Sequence, residues 1–279
     1  MTLAIVTDST SDLSSQLIGS YDIEVIPTIL IVEGKEYADG VGLSREAFYQ
    51  QLPSWPAPPT TAAPSIGEFA ARYEALLSRG FEQIISLHAS SKLTTIINSA
   101  QQAAQDFPGK ITVVDSQSIS MGLGFQVLAA AETAEQGLQA ALDAIDSARQ
   151  RLRVYAALNT LEYAKRSGRL PAAVTLLGGL LSIKPLIEVQ VGEVKPIKAV
   201  RTTRQANEKL KQLLLAEGPL EKLAILHSGA EPRAKEFLNN LMQESSQSVP
   251  RDVLLINVTT VIGTHVGPQG LGFASVRRG

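Results

Sequence analysis

The stretch FEQIISLHASSKLTTIINSA (residues 81–100) contains the transition that decides the fold class. Its first half is a β-favouring apolar run, which ends in His88, Ser90, Ser91, Thr94 and Thr95. The residues that follow have helical character. A strand that ends in small polar residues and leads into a helix is typical of an α/β protein, and small ligands often bind at such corners.

The same alternation extends through the first half of the chain. LAIVT (3–7) predicts a buried strand, and the next segment predicts a short helix ended by Gly19. A second strand is predicted over 24–32, and Ser44 is the predicted N-cap of a helix over 44–52. After the proline-rich link 53–59, Ser65 and Glu68 have capping-box spacing. The alternation continues with strands at 82–88 and KITVVDS and with helices over 93–105 and from 122. This pattern predicts a parallel sheet flanked by helices.

A new unit is predicted to begin at residue 154. A hairpin is predicted for the segments LSIKPLIEVQ and VKPIKAVRT, which the turn VGE joins. Predicted helices then alternate with the strands LAILHSG, LLINVTT and LGFASVRR. A hairpin within an α/β pattern predicts a mixed sheet. The 279 residues also exceed one ordinary core. We therefore expect an N-terminal α/β domain over 1–153 and a C-terminal α/β domain over 154–279.

The amino-acid composition excludes several classes of function. The chain has no cysteine, which excludes disulfides, thiolate catalysis and cysteine-ligated metals. A net charge of -2 and the lack of a basic cluster argue against nucleic-acid binding. No basic, apolar leader and no membrane-length apolar run is visible, so we expect a cytoplasmic protein and not an integral membrane protein.

Polar residues recur after several predicted strands: DSTSD at 8–12, His88 to Ser91, Asp115 and Ser116, and His227 and Ser228. Such residues either cap helices or together bind one small anionic group. No G-x-G-x-x-G follows the first strand, no P-loop is present, and three scattered histidines predict no metal site.

A second concentration of polar residues is TTVIGTHVGPQGLGFA (259–274), where His265 is predicted on a stiff loop. A hydrolase or transferase that uses Ser or Thr hydroxyls and His265 remains an alternative, although the nucleophile elbow G-x-S-x-G is missing.

The order of several motifs resembles the DegV family of bacterial fatty-acid-binding proteins. The shared segments span nearly the whole chain and are IVTDSTSDL, TTAAPS, SSKL, VVDSQSISMGLG, YAKRSGRL, SIKPLIEV, KAVRTTRQA and VIGTHVGPQGLG. The resemblance implies two α/β domains with a long-chain fatty acid between them. It also implies a carrier in phospholipid metabolism, without a cofactor or nucleotide site, which presents the carboxylate to a separate fatty acid kinase subunit.

The resemblance also implies roles for individual residues. Thr61, Thr94, Ser91 and His265 correspond to carboxylate-binding positions, and Arg201 and Arg169 to residues that position the partner or an acyl phosphate. Arg201 could instead form a structural ion pair. Thr95, Ile96 and Gln269 depart from the usual family residues and affect the expected head-group geometry.

The residues themselves are compatible with a carboxylate ligand. A carboxylate needs a few neutral donors and an imidazole, whereas a phosphate or nucleotide would require a basic fork or a glycine-rich loop. The aliphatic run AVTLLGGLL (173–181) either lines an acyl tunnel or is ordinary core.

Overall fold

The computed structural model describes residues 2–170, 172, 175–176, 183–245 and 249–279. The predicted tunnel-lining run 173–181 lies outside the described residues, apart from Thr175 and Leu176. Among the described residues, no helix combines the length and the apolar character that crossing a membrane requires.

The chain divides into two compact units. Unit 1 contains residues 1–29, 62–150 and 191–193, and unit 2 contains residues 30–61, 151–190 and 194–279. The predicted boundary at 153/154 lies close to the break at 150/151, but the prediction had assigned residues 30–61 to the N-terminal domain. These residues belong to unit 2 because their helix packs there: Tyr49 donates a hydrogen bond to the carbonyl of Val258 over 3.0 Å.

Unit 1 is built on a parallel four-stranded sheet. Its order is β2-β1-β6-β7, from β1 (Leu3–Asp8), β2 (Glu24–Ile26), β6 (Gln83–His88) and β7 (Ile111–Asp115). The helices of this unit are α1 (Ser15–Ser20), α3 (Ile66–Ser78), α4 (Ile96–Ala104), α5 (Met121–Thr133) and α6 (Leu138–Arg151). Helices α3 and α4 pack with β1 and β6 in one hydrophobic core, because their apolar residues recur at helical spacing.

Unit 2 contains the predicted mixed sheet. Its order is β10-β9-β8-β13-β11-β12, from β8 (Leu152–Ala157), β9 (Lys184–Gln190), β10 (Glu193–Val200), β11 (Leu220–His227), β12 (Val253–Asn257) and β13 (Leu271–Arg277). Strands β11 and β12 pair in parallel, whereas β13 pairs antiparallel with β11 and with β8, and β8 pairs antiparallel with β9. The helices are α2 (Arg45–Gln51), α7 (Glu162–Ser167), α8 (Thr203–Ala216), α9 (Glu231–Ser245) and α10 (Thr260–Val266).

Two local predictions were wrong. Gly19 lies inside α1, and Tyr21 is the residue that caps this helix. The predicted strand 24–32 is interrupted at Pro27, which cannot donate a ladder hydrogen bond. Its first part is β2, and its second part is β3 (Ile29–Val32) of a separate three-stranded sheet, with β4 (Lys35–Ala38) and β5 (Thr60–Ala62) in the order β4-β3-β5. Weak apolar alternation in β4 and β5 explains why neither was predicted.

The packing of α5 depends on the small size of Gly124. A Cβ atom at this position would lie 2.6 Å from the carbonyl oxygen of Ser11. Displacing a backbone atom costs more free energy than rotating a flexible side chain. We therefore expect Gly124→Ala to lower the free energy of unfolding by about 1–3 kcal/mol.

A matched control is Gly19→Ala in α1, where an added Cβ meets nothing within 4 Å. Alanine there should stabilise the protein by about 0.5–1 kcal/mol, since glycine loses more backbone entropy. Urea unfolding of both variants measures the difference. Equal effects of the two substitutions would show that α5 does not require the close approach.

Candidate functional site

The predicted corner after β6 depends on a buried carboxylate. Asp8 ends β1 and is fully buried, and its side chain accepts hydrogen bonds from His88 Nδ1 at 3.0 Å, the amide of Ala89 at 3.2 Å and the amide of Thr10 at 3.0 Å. The Thr10 hydroxyl also donates to it. Burial alone would raise the pKa of Asp8, but these hydrogen bonds and the electrostatic attraction of His88 together outweigh burial and hold the pKa below its ordinary value.

The same histidine continues the network into the core. His88 Nε2 lies 2.6 Å from Ser86 Oγ, and Tyr73 donates its hydroxyl to Ser86 over 2.7 Å. Asp8, His88 and Ser86 thus have the order of partners found in a catalytic triad. All three are fully buried, and Ser86 already accepts a bond from Tyr73. The arrangement therefore fixes the ends of β1 and β6 and offers no nucleophile to a substrate.

The predicted ligand residues of unit 1 differ in how their hydroxyls are used. Thr94 Oγ1 accepts a bond from the Ile96 amide at 3.3 Å, and this leaves its own hydrogen free to donate. Ser91 Oγ donates to Asp115 over 2.6 Å, so its hydrogen is already engaged. Of these two residues, Thr94 is the better donor for a carboxylate.

The third and fourth predicted ligand residues, Thr61 and His265, meet in unit 2. Thr61 lies on β5, and its Oγ1 is 3.3 Å from His265 Nε2. The sequence predicted His265 on a loop, but it lies in the last turn of α10, which Thr259 caps by accepting from the Ile262 amide. The glycines on either side suggested a loop, and they serve the packing of this helix instead.

Two glycines allow neighbouring aromatic residues to approach α10. A Cβ at Gly263 would lie 2.5 Å from the Tyr49 hydroxyl oxygen, and a Cβ at Gly267 would lie 2.2 Å from the Tyr163 ring. Gly267 also has a φ of +76°, which favours glycine. The helix that carries His265 is therefore held between α2 and α7. The spacing G-x-x-x-G was the available sequence signal for this packing.

The environment of His265 keeps its imidazole neutral. The pKa of His265 is lowered to about 4. Burial is the larger cause, and the positive charge of Arg169 is the second. Nδ1 is buried and has no hydrogen-bond partner among the residues that the structure describes. Because orphaned buried N–H groups are rare, this favours the ring hydrogen on Nε2, donated to Thr61 Oγ1. The hydrogen of the Thr61 hydroxyl is then available to a ligand.

The two predicted arginines are both exposed members of unit 2. Arg169 follows Gly168, which ends α7 in the left-handed conformation. Arg201 follows β10 and forms no ion pair with any residue that the structure describes, so the structural ion pair considered as an alternative is not observed there. Its amide donates to Gln205 over 3.1 Å.

Comparison with known proteins decides the family. Residues 2–278 match the family model described as "Uncharacterised protein, DegV family". The chain belongs to the DegV family. It is 34% identical over 276 residues to a DegV domain-containing protein of Streptomyces coelicolor, covering 97% of this chain and 96% of that protein.

Two solved DegV structures are similar over their whole length. A Thermus thermophilus family member, described by its fatty acid binding, has a TM-score of 0.90 and 34% identity, with 100% of both chains covered. DegV of Bacillus subtilis, described as a fatty acid binding protein, has a TM-score of 0.87 and 27% identity, again with 100% of both chains covered. The α/β fold, with one parallel and one mixed sheet, is that of these DegV structures.

The low pKa of Asp8 has a consequence for acid stability. A carboxyl group with a lowered folded pKa stabilises the protein above its unfolded pKa, near 3.8, and this contribution is lost as the pH falls through the folded value. We expect Asp8→Asn to lose about 1–3 kcal/mol at pH 7, since the amide cannot accept every bond. It should also show a smaller further loss below pH 4 than the parent protein.

Urea unfolding at neutral and acidic pH tests this expectation, with Asp106→Asn, at an exposed position, as the control. A parallel loss with pH in the parent and in Asp8→Asn would contradict a role for this carboxylate in acid stability.

Proposed function

We propose that this protein binds a long-chain fatty acid, that the Thr61 hydroxyl donates to its carboxylate while His265 holds that hydroxyl in place, and that Thr94 and Ser91 are further ligand positions. The observation that carries the proposal is the pairing of Thr61 Oγ1 with His265 Nε2 at 3.3 Å. It leaves a hydroxyl donor beside a neutral imidazole. Fatty acid binding in the relatives from Thermus thermophilus and Bacillus subtilis supports the same ligand class.

The chemistry of the pair favours binding over catalysis. A threonine or serine nucleophile needs a histidine that a third group orients through its other ring nitrogen. His265 Nδ1 is buried, and no residue in the described part of the chain orients it in this way. A hydrolase or transferase therefore has less support than a carrier.

A neutral head-group site is sufficient for a lipid ligand. Each methylene buried from water contributes about 0.8 kcal/mol, so the acyl chain supplies most of the affinity and the polar residues orient the head group. A neutral imidazole and hydroxyls suit that task, because they cost less to bury than ionised groups. The protein would act without a cofactor.

We further propose that the carrier presents the carboxylate to a separate fatty acid kinase in the cytoplasm. The sequence lacks a P-loop and a dinucleotide fingerprint, so the nucleotide would be supplied by that partner. Arg169, whose charge acts on His265, and the exposed Arg201 are suited to stabilise the negative charge of an acyl phosphate.

The carboxylate assignment predicts the effect of removing one hydroxyl. Thr61→Val preserves the shape of the side chain and should weaken fatty acid binding by about 1–3 kcal/mol. The neighbouring Thr60→Val removes an exposed hydroxyl from the same strand and should leave affinity unchanged. Fluorescent fatty acid displacement measures both, and thermal unfolding shows that both variants fold. Equal affinity of the two variants would refute the role of Thr61.

The proposed partner reaction predicts a separation of binding from turnover. With a fatty acid kinase and ATP supplied, Arg201→Gln should reduce the rate of acyl-phosphate formation by about 10-fold or more while fatty acid affinity changes little. Arg251→Gln, at another exposed arginine, is the control. Rate and affinity are measured on the same preparations. Loss of affinity in proportion to rate would assign Arg201 to ligand binding, and ATP turnover without the kinase would contradict the carrier function.

A further inference from the structure

Unit 2 contains a polar cavity that is separate from the Thr61–His265 pair. Its volume is about 510 Å³, and it lies at the carboxyl ends of β11 and β12. Ligands of α/β proteins commonly bind outside these strand ends. The lining residues include neither Thr61 nor His265; they are Glu46, Tyr49, Gln50, His227, Gly229, Glu231, Pro232, Leu255, Asn257 and Gln269.

Helix α2 forms a closely fitted wall of this cavity. The Arg45 guanidinium donates to the carbonyl of Asn257, and Tyr49 donates to the carbonyl of Val258. Gly229 has a φ of +64°, and a Cβ there would lie 2.7 Å from Tyr49 Cβ. The strand ends, the glycine and the helix are therefore fitted to each other, and the cavity is part of the packing of the unit.

A buried histidine presents a free donor to the cavity. His227 is only 5% exposed, and its Nδ1 accepts a hydrogen bond from the Ala230 amide at 3.3 Å. The ring hydrogen is then on Nε2, and no residue described by the structure accepts a hydrogen bond from it. Burial is the largest cause of a lowered pKa of His227, so the ring stays neutral and keeps one donor at neutral pH.

A second donor and an uncompensated carboxylate accompany the histidine. Asn257 Oδ1 accepts from the Gly229 amide at 3.0 Å, and its Nδ2 donates to no residue in the described part of the chain. Glu231 forms an ion pair with Lys235 at 2.7 Å, whereas Glu46 has no ion pair among the described residues. Both carboxylates act electrostatically on His227, which places their negative charge at the cavity.

We propose that this cavity binds a small primary amine that carries an oxygen acceptor beside its ammonium group, as in an amino alcohol. The Glu46 carboxylate accepts from the ammonium group. Gln269 Oε1 provides a neutral acceptor, because its Nε2 already donates to the carbonyl of Gly229 over 2.8 Å. His227 Nε2 and Asn257 Nδ2 donate to the ligand oxygen. The site is independent of fatty acid binding, so the failure of one proposal leaves the other standing.

Ethanolamine is a suitable probe, with acetate as an anionic probe of similar size. In ¹H–¹⁵N spectra of the full chain, ethanolamine should produce saturable shifts of the His227 Nε2 and Asn257 Nδ2 signals in the millimolar range. Glu46→Gln removes the charge at an exposed position and should weaken this binding at least about 10-fold. Glu236→Gln, an exposed residue of α9 outside the cavity, should leave it unchanged.

Three results would overturn the proposal. The first is a linear, non-saturating response of His227 and Asn257 to ethanolamine. The second is equal ethanolamine affinity in Glu46→Gln and Glu236→Gln when both variants unfold at the temperature of the parent. The third is saturable binding of acetate at the same signals, which would identify an anion site.

Discussion

The burial of the Asp8 carboxylate is the constraint on which the polar corner of unit 1 depends. A buried carboxylate is tolerated only when donors replace the water that it has lost. Here the donors come from the turn after β1 and from the end of β6, through His88 Nδ1 and the Ala89 amide. Satisfying one side chain therefore fixes two strand ends 80 residues apart in sequence. The corner that follows β6, and with it Thr94, starts from this fixed point.

In unit 2, the position of His265 is fixed by close packing of helices and not by a buried carboxylate. Gly263 and Gly267 remove side-chain volume from α10, so aromatic rings of α2 and α7 approach its backbone. The helix then holds His265 in a poorly solvated position, where the imidazole is neutral and its Nε2 meets Thr61. The burial that this packing produces, together with the positive charge of Arg169, keeps the imidazole neutral.

The parts of this account that the sequence predicted are those with local signals. The capping box of Ser65 and Glu68, the helix after Ser44, the hairpin over 184–200 and the polar corner after β6 each depend on residues close in sequence. The Asp8–His88 pair and the contact of Tyr49 with unit 2 depend on distant residues, and no spacing indicates them. His265 was predicted to be a site residue from the stiff polar stretch 259–274 and from the family resemblance, but its helix was mistaken for a loop, because glycine signals turns and close helix packing alike.

The central claim is that the protein is a fatty acid carrier, and native mass spectrometry of protein purified from a bacterial host tests it most directly. The account predicts a mass increase equal to one long-chain fatty acid per chain, with the acid released and identified after denaturation. A chain that emerges from mild purification without lipid, and that takes up no long-chain fatty acid when the acid is added, would contradict the account.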